Sequence, residues 1–126
     1  MSIISIGTDI VEIKRIKKIF LSFRNKLARR ILSENEYIKY FKIKNKIKFL
    51  AKSFAVKEAA SKALGTGINC GITFNQLELY NSYLGKPKLR FLNNALKKLK
   101  KMKCKSIHVS TSDEISYSYA IVILEN

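Results

Sequence analysis

Nine carboxylates, two cysteines and one histidine are few for 126 residues, and each shortage excludes something. A tetrahedral zinc site needs four ligands. His108, Cys70 and Cys104 supply three at most, and neither cysteine belongs to a CxxC pair. One disulfide is open to the two thiols, although thiols in a chain of this character are more often buried or incidental. No window approaches the ~18 consecutive apolar residues that cross a bilayer, and none of the expected signal-peptide features appears at the N-terminus. The expected compartment is the cytoplasm. Neither repeats, linkers nor low-complexity tails interrupt the chain, and its length predicts one domain spanning 1–126. Hydrophobic residues at 47% argue against disorder.

What is plentiful is positive charge: 25 basic residues against nine acidic, a formal net charge of +16, with 20 of the 25 being lysine. Such a surface draws in polyanions. Nucleic acid, an acidic protein and a phosphorylated small molecule all qualify, and lysine also populates solvated faces without any partner. The basic helices over 11–20 and 94–105 are the places to look for nucleic-acid binding. They carry no RNP motif, zinc finger or helix-turn-helix signature, so no specific nucleic-acid partner is expected.

Residues 2–10 alternate, with Ile4, Ile6, Thr8 and Ile10 on one face, which predicts a short strand closed by Asp9. Helical spacing begins at Val11 and puts Ile13, Ile16, Ile19 and Phe20 on one side, with Thr8 or Asp9 placed to cap it. A second helix is predicted over 24–31. Ser33 and Glu36 form a capping-box pattern for a third, which breaks near Lys44–Asn45. A long central helix follows from about Ile47 to Leu64, its lysines 52, 57 and 62 alternating with apolar positions, and Gly65 ends it. Strands are expected at 72–80, 88–92, 107–112 and 117–124, with a helix at 93–103. The aromatic residues fall at core spacing. This order predicts an α+β fold, an antiparallel sheet packed with helices around one long central helix.

Because carboxylates are scarce, their positions matter. Asp9 and Glu58, on different elements, have the chemistry to hold Mg²⁺, which takes oxygen ligands at about 2.0–2.1 Å and keeps water and substrate phosphate. By spacing alone they also read as a helix cap and as a surface acid paired with Lys62 one turn on. The GTG loop (Gly65, Thr66, Gly67) can cradle a phosphate or simply cap a helix. It is no Walker A loop, and a helix C-terminus is the wrong dipole end for an anion. His108, on a predicted strand, is a base, a phosphate donor or a structural residue.

Together these residues resemble a family. IGTDIVEIKRI (6–16) is similar to the N-terminal signature of holo-acyl-carrier-protein synthases, and FAVKEAASKALGTGI (54–68) to their second signature. FNQLELYNSYLGKPKL (74–89) and a terminal HVS strand (108–110) follow in the same order, so the resemblance covers essentially the whole chain. Two positions depart from the family. Asp113 stands where many members carry a second histidine, and Ser53 where an arginine commonly precedes the phenylalanine, with Lys52 as the available substitute.

The resemblance implies a small transferase with the 4′-phosphopantetheinyl transferase fold, a homotrimer with sites between subunits. It would move 4′-phosphopantetheine from coenzyme A to a serine of apo-acyl carrier protein. Asp9 and Glu58 would bind Mg²⁺, and Glu58 or a bound water would take the serine proton. Lys62 would stabilise the departing adenosine 3′,5′-bisphosphate. Gly65, Thr66, Gly67, Lys86 and Pro87 would line the coenzyme pocket, with His108 beside it. Arg15, assisted by Lys14, Arg24 and Arg30, would dock the acidic carrier, since arginine's planar fork suits carboxylates.

Overall fold

The computed structural model describes all 126 residues. Strand β1 (Ile3–Glu12) leads into helices α1 (Ile13–Phe23), α2 (Asn25–Ile31), α3 (Glu34–Tyr40) and α4 (Lys46–Leu64). A 3₁₀ turn (Phe74–Gln76) precedes the hairpin β2 (Leu77–Asn81) and β3 (Pro87–Phe91), then α5 (Asn93–Lys101), β4 (Ser106–Asp113) and β5 (Tyr117–Glu125). The main sheet has the order β1-β5-β4 and is antiparallel throughout; β2 and β3 form a separate two-stranded sheet. The α+β expectation is met.

Local signals explain several boundaries. Ser33 caps α3 by accepting from the Glu36 amide at 3.3 Å while Glu36 accepts from the Ser33 amide at 2.8 Å, a reciprocal capping box. Asn45 accepts from the Lys48 amide and starts α4 where the helical pattern breaks. Gly65 ends it in the left-handed region, φ 81°, a conformation glycine adopts without a Cβ clash.

The first strand differs from the expectation. It continues to Glu12, pairing with β5 as far as Tyr117, and the Ile13 amide donates to the Ser116 carbonyl. Thr8 and Asp9 are therefore strand residues and cap nothing; Glu12 occupies the cap position of α1 without a side-chain bond. Pairing with a long partner strand outweighs a local cap signal. Ile6 and Ile10 point away from the core and are more than half exposed. The inward face of β1 carries Gly7, Asp9 and Val11, against which α4 lies. Several aromatics predicted for the core, Phe23, Phe41, Tyr83, Tyr117 and Tyr119, are also exposed. The strand expected over 72–80 begins only at Leu77, because Phe74–Gln76 coil into the 3₁₀ turn.

Gly7 sets how closely β1 and α4 approach. A Cβ built there would lie 1.9 Å from the Ala59 carbonyl oxygen and 2.7 Å from the Ala63 nitrogen. Only a residue with no side chain permits this backbone-to-backbone contact. Alanines 55, 59, 60 and 63 keep the facing helix correspondingly thin, and all four are buried.

Lys57 is the other departure. Its place among the lysines of α4 suggests a solvated position, yet it is fully buried. Its ammonium donates to Glu36 Oε1 at 2.6 Å, the Ile31 carbonyl at 2.7 Å and the Phe74 carbonyl at 3.1 Å. Burial pushes its pKa below the usual lysine value, with Glu36 pulling it back. Nearby, Glu78 accepts from the Ser33 hydroxyl and from Arg90, each at 2.8 Å.

Candidate active site

The Gly7 contact brings the scarce acids together. Asp9 lies two residues along β1 and Glu58 on α4, and the Glu58 pKa is raised, by burial and then by the charge of Asp9. Desolvation by burial is the larger cause of that rise; Lys62 and Arg15 pull the value back down. Lys62 reaches over from the next turn of α4 and donates to the Thr8 carbonyl at 3.0 Å and to Asp9 Oδ1 at 3.1 Å. Its ion-pair partner is thus Asp9 across the helix–strand contact, and not Glu58 along the helix. A half-exposed lysine, two acids and the Arg15 guanidinium meet at one edge of the sheet.

Glu58 holds its proton more tightly in the fold than an ordinary carboxyl. Its contribution therefore favours the folded state at low pH and fades as pH rises through the raised value. Substitutions should move that value in opposite directions. Lys62→Met removes a lowering influence and will raise the Glu58 midpoint further; Asp9→Asn removes a raising one and will lower it. Carboxyl-carbon NMR in metal-free buffer reads both shifts, and three identical midpoints would show that these groups do not sense one another.

The other predicted site residues are spread more widely. Gly65, Thr66 and Gly67 follow directly on α4; the Gly67 amide donates to the Ser61 carbonyl, and the Thr66 hydroxyl to the Gly67 carbonyl. Lys86 and Pro87 lie in the β2–β3 hairpin, without a hydrogen bond or ion pair to Asp9, Glu58 or Lys62. His108 is exposed on β4, 3.2 Å from Glu125 Oε1, and its strand is separated from β1 by β5. Arg15 and Lys14 project from α1. Arg24, at the α1–α2 corner, lies 5.5 Å from the centre of the Phe20 ring, and Arg30 borders a groove of about 350 Å³ lined by Ile19, Phe23, Lys26 and Leu27. Ser53 is buried, with Lys52 beside it on a small cavity shared with Lys39 and Tyr80. Asp113 accepts from the Ser118 hydroxyl at 2.6 Å. Both cysteines are free, and Cys70 is exposed.

Two residues of the fold around the site escape the sequence reading. Gly7 carries a signal, an isolated glycine inside an alternating strand, which marks a bulge or a close approach. Lys57 carries a fainter one. The positions one turn to either side are serines 53 and 61, so no acid on its own helix is placed to pair with it.

No cluster of three or more His, Cys, Asp or Glu side chains forms; the acids of this site are a pair. The donor set suits a hard cation such as Mg²⁺, which is commonly held by one or two carboxylates together with a phosphate. Two acids that repel each other, one of them partly desolvated, form a locus that a cation would relieve.

Fold and site together define the class: an α+β protein in which a strand and a central helix present two carboxylates and a lysine at one sheet edge. The chain belongs to the 4′-phosphopantetheinyl transferase superfamily, whose family model matches residues 5–122. It is 70% identical over 125 residues to the holo-[acyl-carrier-protein] synthase of Buchnera aphidicola subsp. Schizaphis graminum, covering 99% of each chain. The crystal structure of the Neisseria meningitidis holo-[acyl-carrier-protein] synthase superposes with a TM-score of 0.91 at 37% identity, covering 99% of this chain and 100% of that one. The Helicobacter pylori holo-[acyl-carrier-protein] synthase, solved in complex with coenzyme A, gives 0.82 at 32% identity and covers 95% and 99%.

Proposed function

We propose that this chain is a Mg²⁺-dependent holo-acyl-carrier-protein synthase, one catalytic domain over residues 1–126. It transfers 4′-phosphopantetheine from coenzyme A to a serine of apo-acyl carrier protein and releases adenosine 3′,5′-bisphosphate. The observation that carries this reading is the convergence of Asp9, Glu58 and Lys62 across the Gly7 contact, in a chain 70% identical to a synthase of that name. The activity supports fatty acid biosynthesis in the cytoplasm; no helix here is long and apolar enough to cross a membrane.

Asp9 and Glu58 hold the cation. When bound, Mg²⁺ offsets charge that builds on the phosphoryl oxygens during transfer. Glu58, or a water held at the cation, would accept the serine proton; the raised pKa of Glu58, caused by burial and then by Asp9, belongs to the metal-free site and would fall once a cation is bound. Lys62, held by the Thr8 carbonyl and Asp9, presents positive charge beside the acids, where it stabilises the leaving phosphate. The GTG loop, Lys86, Pro87 and His108 line the coenzyme pocket. Arg15 joins the two substrates' territories, because it lies on the docking helix α1 and also acts on Glu58. With Lys14, Arg24 and Arg30 it receives the acidic carrier, and the apolar floor of the α1–α2 groove gives that partner a surface to bury.

The outer face of the main sheet supports the homotrimer. Ile6, Ile10, Tyr117 and Tyr119 are exposed there, beside the half-buried Ile121 and Ile123. Registered neighbours such as Ile10 and Tyr119 make this face continuous. A sheet covered by α4 on one side and bare and apolar on the other is expected to bury the second side against another molecule. Within one chain, β5 also separates His108 from β1, and the hairpin makes no hydrogen bond or ion pair to the acids, as sites completed by a neighbouring copy would allow. Ile6→Glu with Ile10→Glu should convert a three-chain particle into the single 14.5 kDa chain in sedimentation and abolish transfer. An unchanged sedimentation profile would discard the trimer built on this face.

The direct test mixes the protein with apo-acyl carrier protein, coenzyme A and Mg²⁺ and weighs the carrier by mass spectrometry. One added phosphopantetheine, prevented by EDTA, is the expected result. A carrier of unchanged mass refutes the proposal.

A further inference from the structure

The buried lysine next door to Glu58 has no part in the chemistry above. Lys57 and Glu58 are adjacent on α4, so their side chains leave the helix about 100° apart, and Lys62 follows about 140° from Lys57. Lys57 points inward to a three-point anchor supplied by other elements. The Ile31 carbonyl belongs to the end of α2, Glu36 to the first turn of α3, and the Phe74 carbonyl to the 3₁₀ turn. Glu36 is itself held by the Ser33 amide at 2.8 Å and the Leu79 amide at 3.1 Å, which extends the anchor to β2.

This anchor adds directional bonds to apolar packing that has no direction of its own. Gly7 determines how near α4 comes to β1, yet the helix surface presented there is largely alanine. Alanine ridges are shallow, so on this face rotation about the helix axis is opposed less than by the buried Leu50, Val56 and Leu64 elsewhere on α4. A carboxylate on α4 stands roughly 6 Å from that axis. A turn of about 20° would then sweep it by about 2 Å, and misplacement by about 1 Å can cost on the order of 10²-fold in rate. Directional hydrogen bonds from a single ammonium to three fixed oxygens restrain that rotation.

We infer that Lys57 is a positioning residue: its bonds to Ile31, Glu36 and Phe74 fix the rotation of α4 and thereby aim Glu58 and Lys62 at Asp9. The inference rests on the transferase reading of that group. A buried ion pair adds little net stability compared with well-packed apolar groups, whereas removing one partner leaves the other charged and unpaired. The informative variant is therefore Lys57→Met with Glu36→Gln, which takes away both charges together.

The full-length variant would be compared with the wild type well below both melting temperatures. Transfer kinetics are followed over coenzyme A and carrier concentration, and calorimetry follows Mg²⁺ binding with coenzyme A present and carrier absent. The expected result is a folded protein with kcat lowered 10- to 100-fold, Mg²⁺ affinity weakened at least fivefold, and the carrier KM within twofold of the wild type. A folded variant whose kcat and Mg²⁺ affinity both stay within twofold of the wild type overturns the inference. Should the pair fail to fold, Lys57→Arg decides, because it leaves Glu36 paired while a planar guanidinium cannot reproduce the ammonium's bonds to both carbonyls. There a threefold or larger loss in both quantities is expected, and no loss overturns the inference. A wild-type protein that loads no carrier overturns the transferase reading instead, and does so before any substitution is made.

Discussion

Glu58→Gln should give a protein that folds as well as the wild type and loads carrier at least a thousandfold more slowly. On the proposed reading, the amide keeps the shape of the side chain but loses the charge that would hold the cation and any basicity that would take up the serine proton. A thousandfold loss corresponds to about 4 kcal/mol of transition-state stabilisation, in line with the several kcal/mol a metal's charge supplies to phosphoryl transfer. Stability should move little, or upward. Glu58 is partly desolvated and faces a like charge on Asp9, so neutralising it removes an unfavourable interaction. Asp9→Asn should behave in the same way: its ion pair with Lys62 is half exposed on the lysine side, and such pairs contribute little. Carrier mass measured against time, with a thermal melt of each variant, checks both halves. Near-normal loading by either folded variant would remove that acid from the site. A melting temperature that fell with the activity would make the acids structural.

Gly7→Ala should be the most damaging single methyl group that can be added to this protein. The new Cβ would sit 1.9 Å from the Ala59 carbonyl oxygen, far inside contact distance, and the obstacle is main chain. Relief requires α4 and β1 to separate, which disturbs core packing along the helix and carries Glu58 and Lys62 away from Asp9. Overpacking of this severity lies at or beyond the upper end of the usual range, roughly 3 kcal/mol. For a chain of this size that lowers the melting temperature by roughly 10–15 °C. Transfer should fall at least a hundredfold even where the variant is fully folded, because the two halves of the site no longer meet. Calorimetric melting and the carrier-loading assay at low temperature test the two parts separately. A variant that melts within 2 °C of the wild type would show that the two backbones are not in contact as described.

Much of this architecture is legible in the residues themselves. The Ser33–Glu36 capping box and the Gly65 stop act within one turn of chain, and each sits where the sequence places it; the break read near Lys44–Asn45 is where Asn45 caps α4. The alternation of 117–124 names a strand, and the structure has one there. Asp9, Glu58 and Lys62 could be singled out because acids are rare and because the surrounding segments resemble a known family.

Apart from the local 3₁₀ turn at Phe74–Gln76, the main failures share a cause, since each depends on a contact between residues distant in sequence. β1 runs on past Asp9 because β5 is there to pair with it. Lys57 turns inward because Ile31, Glu36 and Phe74 wait for it, 26, 21 and 17 positions away. Lys62 bonds to Asp9, 53 positions away, in preference to the acid one turn from it. The outward isoleucines of β1 alternate as a core face would, and nothing in a single chain's pattern distinguishes a face buried by its own helix from one bare until another molecule arrives.

The close fit at position 7 also limits how this protein can change. When one side chain crowds another, a smaller partner elsewhere can restore the fit, and such compensating pairs let a lineage wander. Opposite Gly7 stands a peptide carbonyl, which no codon alters. Exposed lysines can be exchanged at little cost to the fold, yet at this point the chain has no second-site remedy. Revertants of a damaged position 7 should recover glycine itself.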